Sequence, residues 1–200
     1  MAATSWWDVN IPEKLETFKQ WLGDSNMPDR VMCRNHVIGC NYKSILDVGC
    51  GVGVDGIGYR PYSQITYQGV DRTQALVDYC RSHDIPAVQG DVENLPFDDD
   101  GFDVVYTRHT LEHLAYYEEA ILELIRVAKR EVLVIFFIQP TEQEDFINDT
   151  PMPDVGKIGD IPLYHNRYNR AKLAWFILQQ PKVDSIRWVD CLLHIKLKTP

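Results

Sequence analysis

The stretch that decides the fold is LDVGCGVGVDGIG, residues 46–58. It continues a short apolar run and leads into a helix-like segment. A strand that runs into glycines and then into a helix lets the backbone approach a ligand closely and points amide groups at it. The stretch also satisfies G-x-G-x-x-G through Gly51, Gly53 and Gly56, and Asp71 follows about 20 residues later. It therefore predicts a nucleoside or nucleotide site without deciding which cofactor binds there.

Strand-like and helix-like segments alternate on both sides of this turn, which predicts an α/β fold around a mostly parallel sheet. Short β-branched or aromatic runs bounded by Gly, Pro or Asp predict strands over 44–48, 65–71, 87–91, 102–107 and 131–138. Apolar residues at helical spacing predict helices over 73–83, 112–129 and 169–180. Residues 182–198 predict two closing strands in a hairpin.

Two regions interrupt the alternation. Residues 1–43 carry helix-like stretches at 12–23 and 28–39, and we predict an N-terminal helical segment that can serve as a lid. We assign residues 44–200 to the ligand-binding domain, with an inserted loop at 139–166 that is rich in Pro, Gly and Asp. A loop of that length in a compact domain is usually a lid, a binding loop or disordered.

The bulk composition narrows the classes of partner. The 200 residues are 45% hydrophobic, which suits one well-buried domain. The net charge of -9 repels phosphate backbones, so non-specific nucleic-acid binding is not expected. The longest apolar run, 132–138, is too short to span a membrane, and the first ten residues lack the features of a signal peptide. Five cysteines without a C-x-x-C pair predict reduced thiols, a cytoplasmic location and no thiolate zinc site.

Three acids at the ends of predicted strands distinguish between cofactors. Asp47 precedes the glycine turn, where a carboxylate repels a pyrophosphate but attracts an ammonium group. Asp71 ends the second strand and can accept two hydrogen bonds from ribose hydroxyls. Asp91 ends the third strand, where an adenine amino group can donate to it. A site lined by these acids suits a cationic nucleoside that carries no phosphate.

The successive segments ILDVGCGVG, YQGVD, GDVENLPFDDDGFDVVYTRHTLEHL and LELIRVAK resemble the ordered motifs of class I S-adenosylmethionine-dependent methyltransferases of the small-molecule type. The resemblance covers residues 44–138. It implies a Rossmann-like seven-stranded, mostly parallel sheet whose last strand is antiparallel, with helices on both faces. It also implies S-adenosyl-L-methionine as cofactor. The helix after the glycine turn departs from the pattern because Pro61 should cut it short.

The resemblance implies roles for individual residues. The turn residues would line the methionine part of the cofactor, and Asp71 would hold the ribose. Asp91 and Val92 would contact adenine, and Arg108 would lie beside the methyl group. The predicted cofactor-binding residues are Asp47, Gly49, Cys50, Gly51, Gly53, Asp71, Arg72, Asp91, Val92 and Arg108.

His109 is the predicted catalytic residue. It follows the fourth strand, and open α/β sheets bind ligands at the carboxyl ends of their strands. Methyl transfer depends mainly on holding the acceptor in line with the methyl group, and a base helps when the acceptor is a hydroxyl or an ammonium. We expect His109 to act as base or positioning group in methylation of an O or N atom of a small molecule. Two alternatives remain open, namely a nicotinamide-dependent oxidoreductase and a non-catalytic cofactor-binding or partner-binding module.

Residues 109–113, HTLEH, also match the zinc-protease pattern H-x-x-E-H. Such a site needs both histidines on one helix, but the fourth strand runs almost to His109, so we predict no metal site here. Glu112 is expected to favour a helix N-terminus electrostatically. Tyr164, His165 and Tyr168 predict either a wall for the substrate or ordinary packing before the last helix.

Overall fold

A computed structural model describes residues 15, 16, 19, 24–146 and 164–198 of the chain. Its centre is a single seven-stranded sheet in the order β3-β2-β1-β4-β5-β7-β6. Strands β1 to β5 are parallel, and β7 runs antiparallel to both β5 and β6. The predicted seven-stranded sheet with an antiparallel last strand and a closing hairpin is confirmed. The strands are Ser44–Val48 (β1), Thr66–Asp71 (β2), Ala87–Gln89 (β3), Phe102–Arg108 (β4), Ala128–Ile135 (β5), Val183–Val189 (β6) and Leu192–Leu197 (β7).

Helices cover both faces of this sheet, as the sequence predicts. Neighbouring residues of a strand point to opposite faces, so Ile45 belongs to one apolar cluster and Leu46 to the other. The first three helices pack on the face of Ile45, and the last two pack on the face of Leu46. The helices are Pro28–Gly39 (α1), Val54–Tyr59 (α2), Gln74–Ser82 (α3), Glu118–Val127 (α4) and Arg170–Leu178 (α5). None of the helices described is both long and apolar enough to cross a membrane.

The helix predicted over 112–129 is wrong in its first six and last two positions. Residues Leu111–His113 form a separate 3-10 turn, and β5 already begins at Ala128. The helix cannot continue through Leu114 because its carbonyl oxygen accepts hydrogen bonds from Asn166 Nδ2 (2.7 Å) and Tyr168 Oη (3.0 Å). Contacts from distant parts of the chain thus replace the local helical hydrogen bonds.

The strand predicted over 131–138 is shifted toward the N-terminus and ends at Ile135. Beyond that residue the amides of Phe137 and Ile138 donate to the Glu112 carboxylate, at 2.6 and 3.3 Å, and not to a neighbouring strand. Other boundaries lie within a few residues of their predicted positions. The short α2 agrees with the expected effect of Pro61.

The predicted domain organisation is only partly covered by the structure. The helix predicted over 28–39 is present as α1. Most of the helix predicted over 12–23 lies outside the described residues, and so does the stretch 147–163 of the predicted inserted loop.

Candidate active site

A cavity of about 440 Å³ lies at the carboxyl ends of β1, β2 and β4. This volume is within the range of roughly 300–1,000 Å³ usual for small-molecule sites. Every predicted site residue except Gly53 lines it. The lining residues are Arg30, Asp47, Val48, Gly49, Cys50, Gly51, Val54, Asp55, Asp71, Arg72, Thr73, Leu76, Asp91, Val92, Arg108, His109, Thr110, His113, Leu114, Phe137 and His165.

The glycine turn forms the floor of the cavity and requires glycine at defined positions. Gly49, Gly51 and Gly53 all have positive φ, at 74°, 56° and 71°. A Cβ atom on Gly49 would lie 2.2 Å from Thr110 Oγ1, so this position has no room for a side chain. Gly53 starts α2 and packs against Ile85, which explains why it supports the turn without lining the cavity.

Asp71 ties the glycine turn to the start of α3. Its Oδ2 accepts a hydrogen bond from the Gly51 amide and its Oδ1 accepts one from the Thr73 amide, both at 2.9 Å. An ionised carboxylate offers about four lone-pair sites, so Asp71 can hold the loop and still accept from a ligand hydroxyl.

Asp47 is the most deeply buried acid of the site, with 2% of its surface exposed. Burial raises its pKa to about 6, against the opposing effects of a hydrogen bond from Tyr67 and of the nearby Arg30. The Tyr67 hydroxyl donates to Asp47 Oδ2 at 2.6 Å. Asp47 therefore presents a carboxylate at neutral pH and becomes neutral under mildly acidic conditions.

Asp91 and Arg72 lie together at the far end of the cavity. Arg72 Nη1 is 3.5 Å from Asp91 Oδ2, and the adjacent Val92 is buried. The structure thus places Arg72, predicted to bind the cofactor, beside Asp91 and Val92, the two residues predicted to contact adenine.

Helix α1 contributes residues to the cavity that the sequence did not identify. Arg30 of this helix is paired with Asp55 of α2, and both side chains are buried. One position earlier, Asp29 Oδ2 accepts a hydrogen bond from Arg108 Nε at 2.7 Å. The helix itself was predicted, but its hydropathy pattern could not show that Arg30 lines the cavity or that Asp29 pairs with Arg108, because charged residues usually occupy the solvent side of a helix.

His109 lies directly after β4 and borders the cavity, as predicted. Its backbone is left-handed (φ 57°), and its amide donates to the Ile135 carbonyl at 2.8 Å. Burial and the neighbouring Arg108 cation lower the pKa of His109 to about 3. The imidazole is therefore neutral across the physiological range and is a weak proton acceptor.

A wall of aromatic rings stands beside His109. Phe137 packs against His109, His113 and His165, with ring centroids 5.3, 5.4 and 5.5 Å apart. His113 Nδ1 lies 2.9 Å from the Tyr164 carbonyl oxygen, and burial lowers the pKa of His113 to about 4. His165 Nε2 is buried and has no hydrogen-bond partner within the described ranges.

The sequence left residues 164–168 open as either a wall for the substrate or ordinary packing, and the structure places His165 and Tyr168 differently. His165 lines the cavity. Tyr168 instead is fully buried in the core, where its hydroxyl donates to the Leu111 carbonyl at 2.7 Å. Tyr168 is therefore a packing residue, whereas His165 has the position that a wall for the substrate would require.

Glu112 does not begin a helix, contrary to the expectation from sequence. It is completely buried, and burial raises its pKa to about 7 against the hydrogen bonds donated by the amides of Phe137 and Ile138. His109 lies outside any helix. The zinc-protease pattern at 109–113 thus has neither the helix nor an available carboxylate.

The donor set fits an S-adenosylmethionine-type cofactor. The glycine turn offers close backbone approach, and carboxylates are available for an ammonium group and for ribose hydroxyls. Val48, Val54, Leu76 and Val92 supply apolar surface for an adenine ring. This fit does not require a positively charged side chain that binds a phosphate.

Comparisons with known proteins agree with this geometry. Residues 46–136 match the family model of a methyltransferase domain. The chain is thus similar, over a little under half of its length, to a methyltransferase domain. Its fold resembles that of an S-adenosylmethionine-dependent methyltransferase from Thermotoga maritima, with a TM-score of 0.60 over 94% of this chain and 98% of that one, at 12% identity.

Two curated relatives are similar to part of the chain. The uncharacterized methyltransferase YcgJ of Bacillus subtilis is 30% identical over 115 residues, which are 52% of this chain and 45% of that protein. The phthiotriol/phenolphthiotriol dimycocerosates methyltransferase of Mycobacterium tuberculosis is 37% identical over 93 residues, 44% of this chain and 34% of that protein. The chain thus spans less than half the length of each of these relatives.

Proposed function

We propose that the protein is an S-adenosylmethionine-dependent methyltransferase that methylates an oxygen or nitrogen atom of a small-molecule acceptor. The observation that carries the proposal is the row of acids at the ends of the first three strands. Asp47, Asp71 and Asp91 all line one cavity with the glycine turn. This arrangement favours a cationic nucleoside over a pyrophosphate cofactor.

In this proposal each part of the cavity binds one part of the cofactor. Asp47 attracts the ammonium group, Asp71 accepts hydrogen bonds from the ribose, and Asp91 with Val92 receives the adenine. The bound cofactor supplies an electrophilic methyl group on a sulfonium. The protein's own contribution is to hold the acceptor in line with that methyl group and to exclude water.

We assign the acceptor to the side of the cavity formed by His109, Phe137 and His165. His165 Nε2 supports this assignment, because it is buried without a hydrogen-bond partner in the described part of the chain, and an unsatisfied buried nitrogen is costly. His109 serves as a positioning residue in this scheme. Since its pKa lies near 3, the imidazole is uncharged at neutral pH, so one ring nitrogen can accept a hydrogen bond from the acceptor.

We also propose that residues 44–200 form the methyltransferase domain and that the segment 1–43 completes the cavity. The pairs Arg30–Asp55 and Asp29–Arg108 support this division, since both join α1 to residues that border the cavity. The segment 139–166 would then be an insertion whose end supplies His165.

Binding of S-adenosylhomocysteine tests the cofactor assignment. Calorimetry with the full chain should show saturable binding, and Asp71→Asn should weaken it at least tenfold. Asp78→Asn, which changes an exposed acid on α3, is the matched control and should leave affinity unchanged. Binding of NADH in place of S-adenosylhomocysteine would overturn the proposal.

The acceptor side is tested by release of S-adenosylhomocysteine over a panel of phenols, alcohols and amines. With the acceptor that responds, His165→Phe should raise KM about tenfold, because Phe keeps an aromatic ring but has no hydrogen-bonding nitrogen. His109→Ala should lower kcat/KM at least tenfold, whereas His109→Asn retains more activity because Asn tolerates a left-handed backbone. A pH-dependent limb that disappears in His109→Ala would show that His109 is a base and not a positioning residue.

A further inference from the structure

Three metal-ligating side chains meet on the sheet face that carries α1, away from the cavity. His36 comes from the last turn of α1, Glu131 from β5 and His194 from β7. One ligand atom from each lies within 4.8 Å of the other two. We propose that His36, Glu131 and His194 bind a divalent transition-metal cation, with Zn²⁺ as the best-suited ion. None of the three lines the cavity, so the proposal does not depend on methyl transfer.

The interatomic distances are close to those of a tetrahedral zinc site. With Zn–N and Zn–O bonds of about 2.0–2.2 Å, neighbouring ligand atoms lie roughly 3.3 Å apart. His194 Nε2 is 3.1 Å from Glu131 Oε2, and His36 Nε2 is 2.5 Å from the same oxygen. The contact between His36 and Glu131 is shorter than that spacing, so the His36 ring has to move outward to admit the ion. Its side chain is 33% exposed, which leaves room for that movement and a path for entry.

Hydrogen bonding within the cluster does not satisfy all of its donors and acceptors. His194 Nε2 is buried and makes no hydrogen bond to the described part of the chain, although it lies close to the carboxylate. Both imidazoles therefore direct Nε2 at the same carboxylate oxygen, but the contact from His194 lacks the geometry of a hydrogen bond. A cation between the three atoms would coordinate both ring nitrogens and the carboxylate at once.

The surroundings supply the support that bound metals usually have. Glu131 is only 5% exposed in its side chain, and the ring of Tyr42 packs edge-on against His36. Packing around the ligands limits their movement and shields the site from solvent. The Cys40 thiol lies 3.7 Å from His36 Nε2, so a sulfur donor borders the cluster as well.

The proposed site would fasten the C-terminal end of α1 to β5 and β7. The opposite end of α1 carries Asp29 and Arg30, which pair with Arg108 and Asp55 at the cavity. Metal binding would thus stabilise the helix that completes the cavity wall. Because binding to the folded state alone raises its stability, the effect is measurable without an assay of activity.

The test uses the full chain after removal of metals with a chelator. Titration with ZnCl₂ should give one equivalent of bound Zn²⁺ per chain and a higher melting temperature. His36→Gln and His194→Gln should each weaken Zn²⁺ binding at least tenfold. His83→Gln, which alters an exposed histidine at the end of α3, is the matched control and should bind Zn²⁺ like the wild type.

Co²⁺ provides a second measurement on the wild type that does not depend on any variant folding correctly. Four-coordinate Co²⁺ absorbs visible light far more strongly than the hydrated ion, and Zn²⁺ should abolish the signal by competition. A spectrum like that of hydrated Co²⁺, or Zn²⁺ affinity unchanged in both His36→Gln and His194→Gln, would overturn the proposal. In that case the cluster is an ion-pair network without a metal.

Discussion

Position 49 requires glycine for two reasons, its left-handed backbone conformation and the lack of space for a side chain. Its φ of 74° disfavours any side chain, and a Cβ atom would lie 2.2 Å from Thr110 Oγ1. Gly49→Ala should therefore lower the free energy of unfolding by about 2 kcal/mol or more and abolish binding of S-adenosylhomocysteine.

Gly39 is the matched control for that substitution. It ends α1 without a left-handed φ, and a Cβ atom placed on it meets nothing within 4 Å. Gly39→Ala should leave stability within about 1 kcal/mol of the wild type, as a helical glycine allows. Chemical denaturation of both variants measures the difference, and equal destabilisation would show that the turn tolerates a side chain.

The raised pKa of Glu112 predicts that the stability of the fold depends on pH, and Glu112→Gln should remove this dependence. Its pKa is about 7 in the folded protein against 4.5 for an ordinary glutamate. The folded state therefore holds the Glu112 proton more tightly than the unfolded state does. The stabilisation that Glu112 contributes is complete below about pH 4.5 and is lost as the pH rises through 7. Relative to Glu112→Gln, the wild type should lose about 3 kcal/mol across this window.

Denaturation curves of the wild type and Glu112→Gln at several pH values provide the measurement. Taking the difference between the two proteins cancels the opposite contribution of His109 and His113, whose pKa values burial lowers. Parallel pH profiles would mean that Glu112 is not protonated in the fold.

The site residues differ in how far the sequence could identify them. The glycines and the strand-end acids follow from local patterns, because a strand, a tight turn and a helix place them at the sheet edge whatever surrounds them. Arg30 could not be found in this way, and for His165 the sequence left a wall and ordinary packing both open, since both residues reach the cavity from segments outside the glycine turn and the strand ends. The role of Glu112 was also not predicted, because the two amides that donate to it lie just after β5.

At the scale of elements, the contact between α1 and α2 depends on a buried ion pair. Removing one partner leaves the other charge buried and unpaired, which typically costs about 3–5 kcal/mol. Arg30→Met and Asp55→Asn should each destabilise the fold to this extent, and the double variant should lose less than the sum of the two. Chemical denaturation of all three variants gives the coupling energy between the side chains.

A more exposed pair serves as reference for this cycle. Arg130 Nε lies 3.3 Å from Asp103 Oδ1, and 45% of the Arg130 side chain is exposed. Arg130→Met should therefore cost less than about 1 kcal/mol. Equal costs for Arg30→Met and Arg130→Met would contradict the view that burial makes the α1–α2 pair important.

The errors in the predicted elements have a common physical origin. Periodicity correctly located the apolar face of α4, with Ile121, Leu124 and Ile125 all buried. It could not show that Asn166 and Tyr168 would take the Leu114 carbonyl and end the helical hydrogen bonding there. Helix and strand content therefore followed from local pattern, whereas boundaries depended on side chains distant in sequence.

At the scale of the whole molecule, cofactor affinity should depend on pH through Asp47. Its pKa of about 6 means that the carboxylate gains a proton below that value and no longer attracts an ammonium group. The affinity for S-adenosylhomocysteine should thus fall as the pH drops from about 7.5 to about 5, by roughly tenfold.

Calorimetry over this pH range measures the effect, and Asp47→Asn should bind weakly but with little pH dependence. Asp78→Asn again serves as the control and should follow the wild-type profile. An affinity that is constant with pH in the wild type would mean that Asp47 does not contact the charged end of the ligand.

The strand order also has a consequence for synthesis on the ribosome. β1 lies between β2 and β4, and its register with β4 joins Ile45 to Val104. A nascent chain can therefore pair β1 with β2 early, but the other edge of β1 remains open until β4 has emerged. Such an edge can pair with another chain, and long-range parallel pairing forms slowly. Fragments that stop before residue 102 should consequently aggregate and recruit chaperones, whereas fragments that include β4 and β5 should do so less.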